Sequence, residues 1–152
     1  MKIELGLALG EGIEACPISR PRLRRLVLRS LAAAGALPPQ GAAIHLLLCE
    51  RREAMQLNRA HRGRRYAPNV LSFEYPRIKG QPLSADIAIC LPVVADEARQ
   101  QGKSLQAHFM HMVVHGCLHA CGLDHLEDGQ AQQMEAIERR VLRAFRIADP
   151  YA

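Results

Sequence analysis

The sequence predicts an α+β fold, a single domain over residues 1–152, with a four-stranded mixed sheet, about five helices and a metal-site helix packed on the sheet. Three observations predict it. A chain of 152 residues, 49% of them hydrophobic, is long enough to bury one core. Its apolar periodicity alternates between strand and helix spacing in the order β-α-β-α-β-β-α-α-α, which suits helices layered on one sheet. No internal repeat, low-complexity tract or linker interrupts that order.

Residues 2–9 alternate Ile3, Leu5, Leu7 and Leu9 with polar or small residues, the pattern of a half-buried strand. Ser19 is placed to cap a helix with Pro21 in its first turn. That helix runs to about Ala34, with Leu23, Leu26, Val27 and Leu31 on one face and arginines on the other. Gly35 and Pro38-Pro39 stop it. Residues 43–49 read as a buried strand, and Glu50 to about Ala60 as a short helix. Arg62 to Asn69 is polar and irregular, a loop. Residues 70–74 and 86–91 are strands, expected to pair antiparallel across the connection containing Pro76, Gly80 and Pro82. Helices follow over about Val93–Gln101, Ser104–Cys121 and Asp128–Phe145.

Aromatic residues are only 4% and tryptophan is absent, so aliphatic side chains must fill the core. No stretch is long and apolar enough to span a bilayer. Met1-Lys2-Ile3-Glu4 lacks the form of a signal peptide. Cys16, Cys49, Cys90, Cys117 and Cys121 are odd in number and scattered, which reads as reduced thiols in a cytoplasmic protein. The net charge is +5, and its arginines cluster at Arg20, Arg22, Arg24, Arg25 and Arg29, and again at Arg51, Arg52, Arg59, Arg62, Arg64 and Arg65. Guanidinium groups suit phosphate, so these clusters suggest a nucleic-acid partner, against the plainer reading of solvated helix faces.

The densest chemistry lies in His115-Gly116-Cys117-Leu118-His119-Ala120-Cys121-Gly122-Leu123-Asp124-His125. His115 and His119, one helical turn apart, share a face. Gly122 lets the chain leave the helix, so His125 can return as a third ligand. Three imidazoles with an open fourth position make a catalytic zinc site, one Zn2+ per chain, with nickel, copper and iron also allowed by ligand type. The spacing is that of the metzincin motif HExxHxxGxxH, but Gly116 stands where those proteases carry their general-base glutamate. This argues against a peptidase. His111, one turn before His115, is an outer contact of the site or part of a polar stripe. Asp124 is an outer carboxylate or a turn residue. Cys117 and Cys121, two positions from the histidines, read as core packing, with a thiol ligand as the alternative.

These residues resemble the YbeY family of bacterial rRNA maturation factors, described as single-strand-specific, metal-dependent endoribonucleases. The family pattern H-G-x-L-H-x-x-G-[YFL]-D-H is met by His115 through His125. Leu57-Asn58-Arg59-Ala60-His61-Arg62 and Asn69-Val70-Leu71-Ser72-Phe73 match two upstream segments, and Ala85-Asp86-Ile87-Ala88-Ile89-Cys90 a strand. Met134-Glu135-Ala136-Ile137-Glu138 and Asp149-Pro150-Tyr151 match the C-terminal end. Pro68, Ala85, His61, Arg65 and Tyr66 depart from the family pattern, and none is a ligand.

The resemblance implies zinc ligation by His115, His119 and His125, and a role for Arg62 in the site cleft. It implies endonuclease cleavage of rRNA precursors at the 16S rRNA 3′ end, ribosome quality control, and the ribosomal small subunit as partner, with neither membrane nor DNA expected. The base is open between metal-activated water, Asp124 and a ribose 2′-hydroxyl. Two other readings stand beside this one. One is a ribosome-biogenesis binding factor with a structural zinc; the other is a non-nuclease metal hydrolase.

Overall fold

The computed structural model describes residues 2–123 and 127–152. Its elements are β1 (Ile3–Leu9), α1 (Arg20–Ala33), β2 (Ala42–Cys49), α2 (Arg51–Arg62), β3 (Val70–Glu74), β4 (Leu83–Cys90), α3 (Leu91–Gln101), α4 (Leu105–Ala120) and α5 (Asp128–Ala144). The sheet order is β1-β2-β4-β3. β1 and β4 each lie parallel to β2, and β3 runs antiparallel to β4, as expected.

Alternation along the strands decides which face is buried. Ile44, Leu46 and Leu48 of β2 and Leu83, Ala85, Ile87 and Ile89 of β4 enter the core with Leu23, Leu26, Val27 and Leu31 of α1. α4 supplies Phe109, Met110, Val113, Val114, Cys117 and Leu118 to the same core. α4 is buried on nearly every side because α1, α3, α5 and the sheet all pack around it. Ser19 and Ser104 cap α1 and α4 through the amides of Arg22 and Ala107.

Three boundaries differ from expectation. β4 begins at Leu83, not Asp86, because Leu83 and Ala85 face the core and pair with Ala42 and Ile44. Leu91, expected to end that strand, opens α3. Pro92 sits in the first turn of α3, where no amide donor is required. Arg62, expected in a loop, belongs to the last turn of α2, which ends at Gly63 with φ 65°.

The first arginine cluster divides. Arg20 donates to the Leu5 carbonyl at 2.6 Å and Arg24 to the Ile3 carbonyl at 2.5 Å. Both cover carbonyls of β1, an edge strand with one side unpaired. Arg22, Arg25 and Arg29 point elsewhere.

Candidate metal centre and cleft

α4 places His115 and His119 one turn apart, with their Nε2 atoms 3.1 Å from each other. Two nitrogens held at about 2.0–2.1 Å by one tetrahedral metal lie about 3.3 Å apart. The pair therefore fits two corners of such a site. The helix then stops as the sequence predicts. Gly122 has φ 88°, and the Leu123 amide returns to the Leu118 carbonyl at 3.1 Å. Asp124 and His125 lie outside the described residues.

Gly116 has a spatial reason. A Cβ there would stand 2.9 Å from Ile87 Cγ2 and 3.1 Å from Val70 Cγ2. The Ser72 hydroxyl donates to the Gly116 carbonyl at 2.8 Å. Glycine lets α4 lie directly on β3 and β4. A glutamate at this position would be driven into the sheet, so the base of the metzincin motif has no room here.

Behind His115 lies Glu138 of α5, wholly buried. His115 Nδ1 is 3.3 Å from its Oε1, and His111 Nε2 is 2.6 Å from its Oε2. The Tyr151 hydroxyl donates to the two carboxylate oxygens at 3.0 and 2.9 Å. Burial would raise the Glu138 pKa, but the hydrogen bonds from His111 and His115 outweigh it and hold it at about 2. Burial, then the Glu138 charge, pushes the Tyr151 phenol up, which keeps it a donor. With Nδ1–H donating to Glu138, His115 keeps the Nε2 lone pair for the side facing His119.

His111, His115 and Glu138 also form a group whose ligand atoms lie within 4.8 Å of one another and could hold a metal ion. Both arrangements draw on His115. Residue patterning alone missed Glu138 and Tyr151. Their only sequence signal is the pair of C-terminal segments that resemble the family.

Cys117 is fully buried in the core and burial raises its thiol pKa, as packing predicts. Cys121 is half-buried, with its pKa pushed up to about 11 chiefly by burial. All five cysteines are free thiols.

Arg62 lines a different feature, a cleft of about 870 Å³ on the α2 side of the sheet, walled by His45, His61, Phe73, Tyr75 and Asp86. His61 packs on Phe73 with ring centroids 4.4 Å apart, so it fills the aromatic place before the arginine. The cleft reaches Ser72 and Glu74 on edge strand β3, beside which α4 packs. Among the described residues, Arg62 makes no hydrogen bond or ion pair with His115 or His119.

Fold and site together define an α+β protein whose central helix carries histidines that could hold a metal ion. A family model described as Endoribonuclease YbeY matches residues 13–146. A protein named Endoribonuclease YbeY from Bordetella pertussis is 46% identical, covering 99% of this chain and 98% of its own. One of the same name from Cupriavidus pinatubonensis is 41% identical over 98% of this chain and 72% of its own. The chain belongs to the YbeY endoribonuclease family, a family of enzymes. Its fold is similar to the solution structure of TM1509 from Thermotoga maritima, with a TM-score of 0.57 at 22% identity, covering 95% of this chain and 92% of that one.

Proposed function

We propose that residues 1–152 act as one zinc-dependent, single-strand-specific endoribonuclease unit on rRNA precursors in the cytoplasm. Its substrate would be the 3′ region of 16S rRNA on the small ribosomal subunit, in maturation and quality control. The observation that carries this reading is the 3.1 Å approach of the His115 and His119 Nε2 atoms on one helix, backed by a buried carboxylate. A nitrogen donor set of this shape favours zinc. His115 and His119 would hold it with His125.

When bound, zinc supplies a Lewis acid and lowers the pKa of its water toward about 7. The chain's own residues do the rest. Glu138 fixes the His115 ring, and Tyr151 and His111 fix Glu138. Arg62 binds a non-bridging phosphate oxygen from the cleft. Phe73, Tyr75 and His61 offer ring faces in that cleft, and bases can stack on rings only when unpaired, which favours single strands.

The test is cleavage of a 3′-extended small-subunit rRNA fragment by the purified protein, beside His119→Ala prepared identically. Cleavage by the wild type alone, lost to a chelator and restored by zinc, is expected. Equal cleavage by both would expose a contaminating ribonuclease and leave the binding-factor reading in its place.

A further inference from the structure

A second basic feature lies apart from the metal centre. Arg22, Arg25 and Arg29 fall at i, i+3 and i+7 on α1 and so share one face. They line a groove of about 460 Å³ with Arg146, over Leu28 and Phe145. Among the described residues, no carboxylate lines this groove. Arg22 is held in place, donating to the Phe145 carbonyl at 3.2 Å with its guanidinium 5.5 Å from the Phe145 ring centroid. Among the described residues, Arg25, Arg29 and Arg146 have no ion-pair partner. Phe145 follows Glu138 by seven positions, about 10 Å along the helix axis.

Arg146 adds an independent observation. It has φ 61°, the left-handed conformation, and is the only described non-glycine residue with positive φ. It stands where a helix turns off, with the Ile147 amide returning to the Leu142 carbonyl at 3.0 Å, a place glycine fills without steric cost. Arg143 in the last turn of α5 already meets the negative end of the helix dipole. A strained arginine beside three like charges, with no counter-charge among the described residues lining the groove, is arranged for an external anion.

We propose that the α1–α5 groove binds the phosphate backbone of a single RNA strand, as a site separate from the cleavage centre. It rests on the endoribonuclease reading for the identity of its ligand. Arg25, Arg29 and Arg146 contact successive phosphates, while Arg22 braces Phe145 and forms the groove wall. The groove adds affinity for longer transcripts, and a short RNA filling only the cleft does not feel it.

The test is the salt dependence of binding to labelled single-stranded RNA, read by initial anisotropy, for the wild type and the triple variant Arg25→Gln, Arg29→Gln, Arg146→Gln. Each single-strand phosphate contact contributes about 0.7 to the slope of log affinity against log salt, so the triple variant loses about 2. Its zinc content and its cleavage of a short RNA stay at the wild-type level. Arg146→Gly, which relieves the backbone and removes the charge, raises the thermal midpoint while lowering the slope by about 0.7. An unchanged slope and affinity in both variants, with wild-type cleavage intact, overturns the groove alone. Wild type that neither binds nor cleaves RNA overturns the endoribonuclease reading and the groove together. Equal affinity for polyglutamate overturns RNA as the ligand.

Discussion

His115 Nδ1 lies 3.3 Å from Glu138 Oε1, a contact made across 23 positions of sequence between two packed helices. It fixes which nitrogen of His115 is left for a metal. Glu138→Gln keeps the shape but loses the charge and one acceptor. Zinc affinity measured by chelator competition is expected to fall about 10–100-fold. Tyr151→Phe, which removes one of three donors to Glu138, is expected to fall less. Unchanged affinity in both would separate Glu138 from the metal.

Stability of the metal-free protein should depend on pH in two windows. Glu138 has a folded pKa of about 2, below its ordinary 4.5. Its contribution is present above pH 4.5 and is lost as pH falls toward 2. His108 lies below its ordinary 6.5, because burial outweighs the raising effect of Glu97. The unfolded chain therefore binds that proton first, and stability is lost as pH falls through 6.5. Urea unfolding across pH should show both losses. His108→Gln should flatten the upper one, and Glu138→Gln the lower.

Gly116→Ala should destabilise the fold by about 1–2 kcal/mol. The gain in helix propensity is smaller than the cost of forcing a methyl against Ile87 and Val70 in a packed core. Gly116→Glu should abolish folding and give no peptidase. Thermal unfolding reads the first, and soluble yield with a casein assay reads the second.

Arg62→Ala should lower RNA cleavage about 10²–10³-fold, the range for losing one electrostatic donor to a transition state. Bound zinc should be unchanged, because Arg62 lies in the cleft and not among the histidines. Loss of zinc in this variant would make Arg62 a support of the metal site.

Much of this was legible in the sequence, where the controlling forces are local. Periodicity marks each strand and helix. Ser19 and Ser104 mark two helix starts, and the spacing of His115, His119 and Gly122 shows the shared face and the stop. What pattern alone could not show depends on long-range packing. Glu138 and Tyr151 meet His111 only when α5 and the C-terminal segment fold back over α4. Arg20 and Arg24 read as part of a basic cluster, but the unpaired edge of β1 claims them. Arg62 reads as loop in the sequence because the polar run from there to Asn69 hides Gly63 as the helix stop. The third histidine of the motif, His125, lies outside the described residues.

The most direct test of the account is bound zinc per chain, with its affinity, in wild type, His119→Ala and His111→Ala, each confirmed folded by circular dichroism. The pairing of His115 and His119 through Nε2 predicts about one zinc in wild type, its loss in His119→Ala, and retention at reduced affinity in His111→Ala. Full zinc retention in His119→Ala with loss in His111→Ala would contradict it and place the metal among His111, His115 and Glu138.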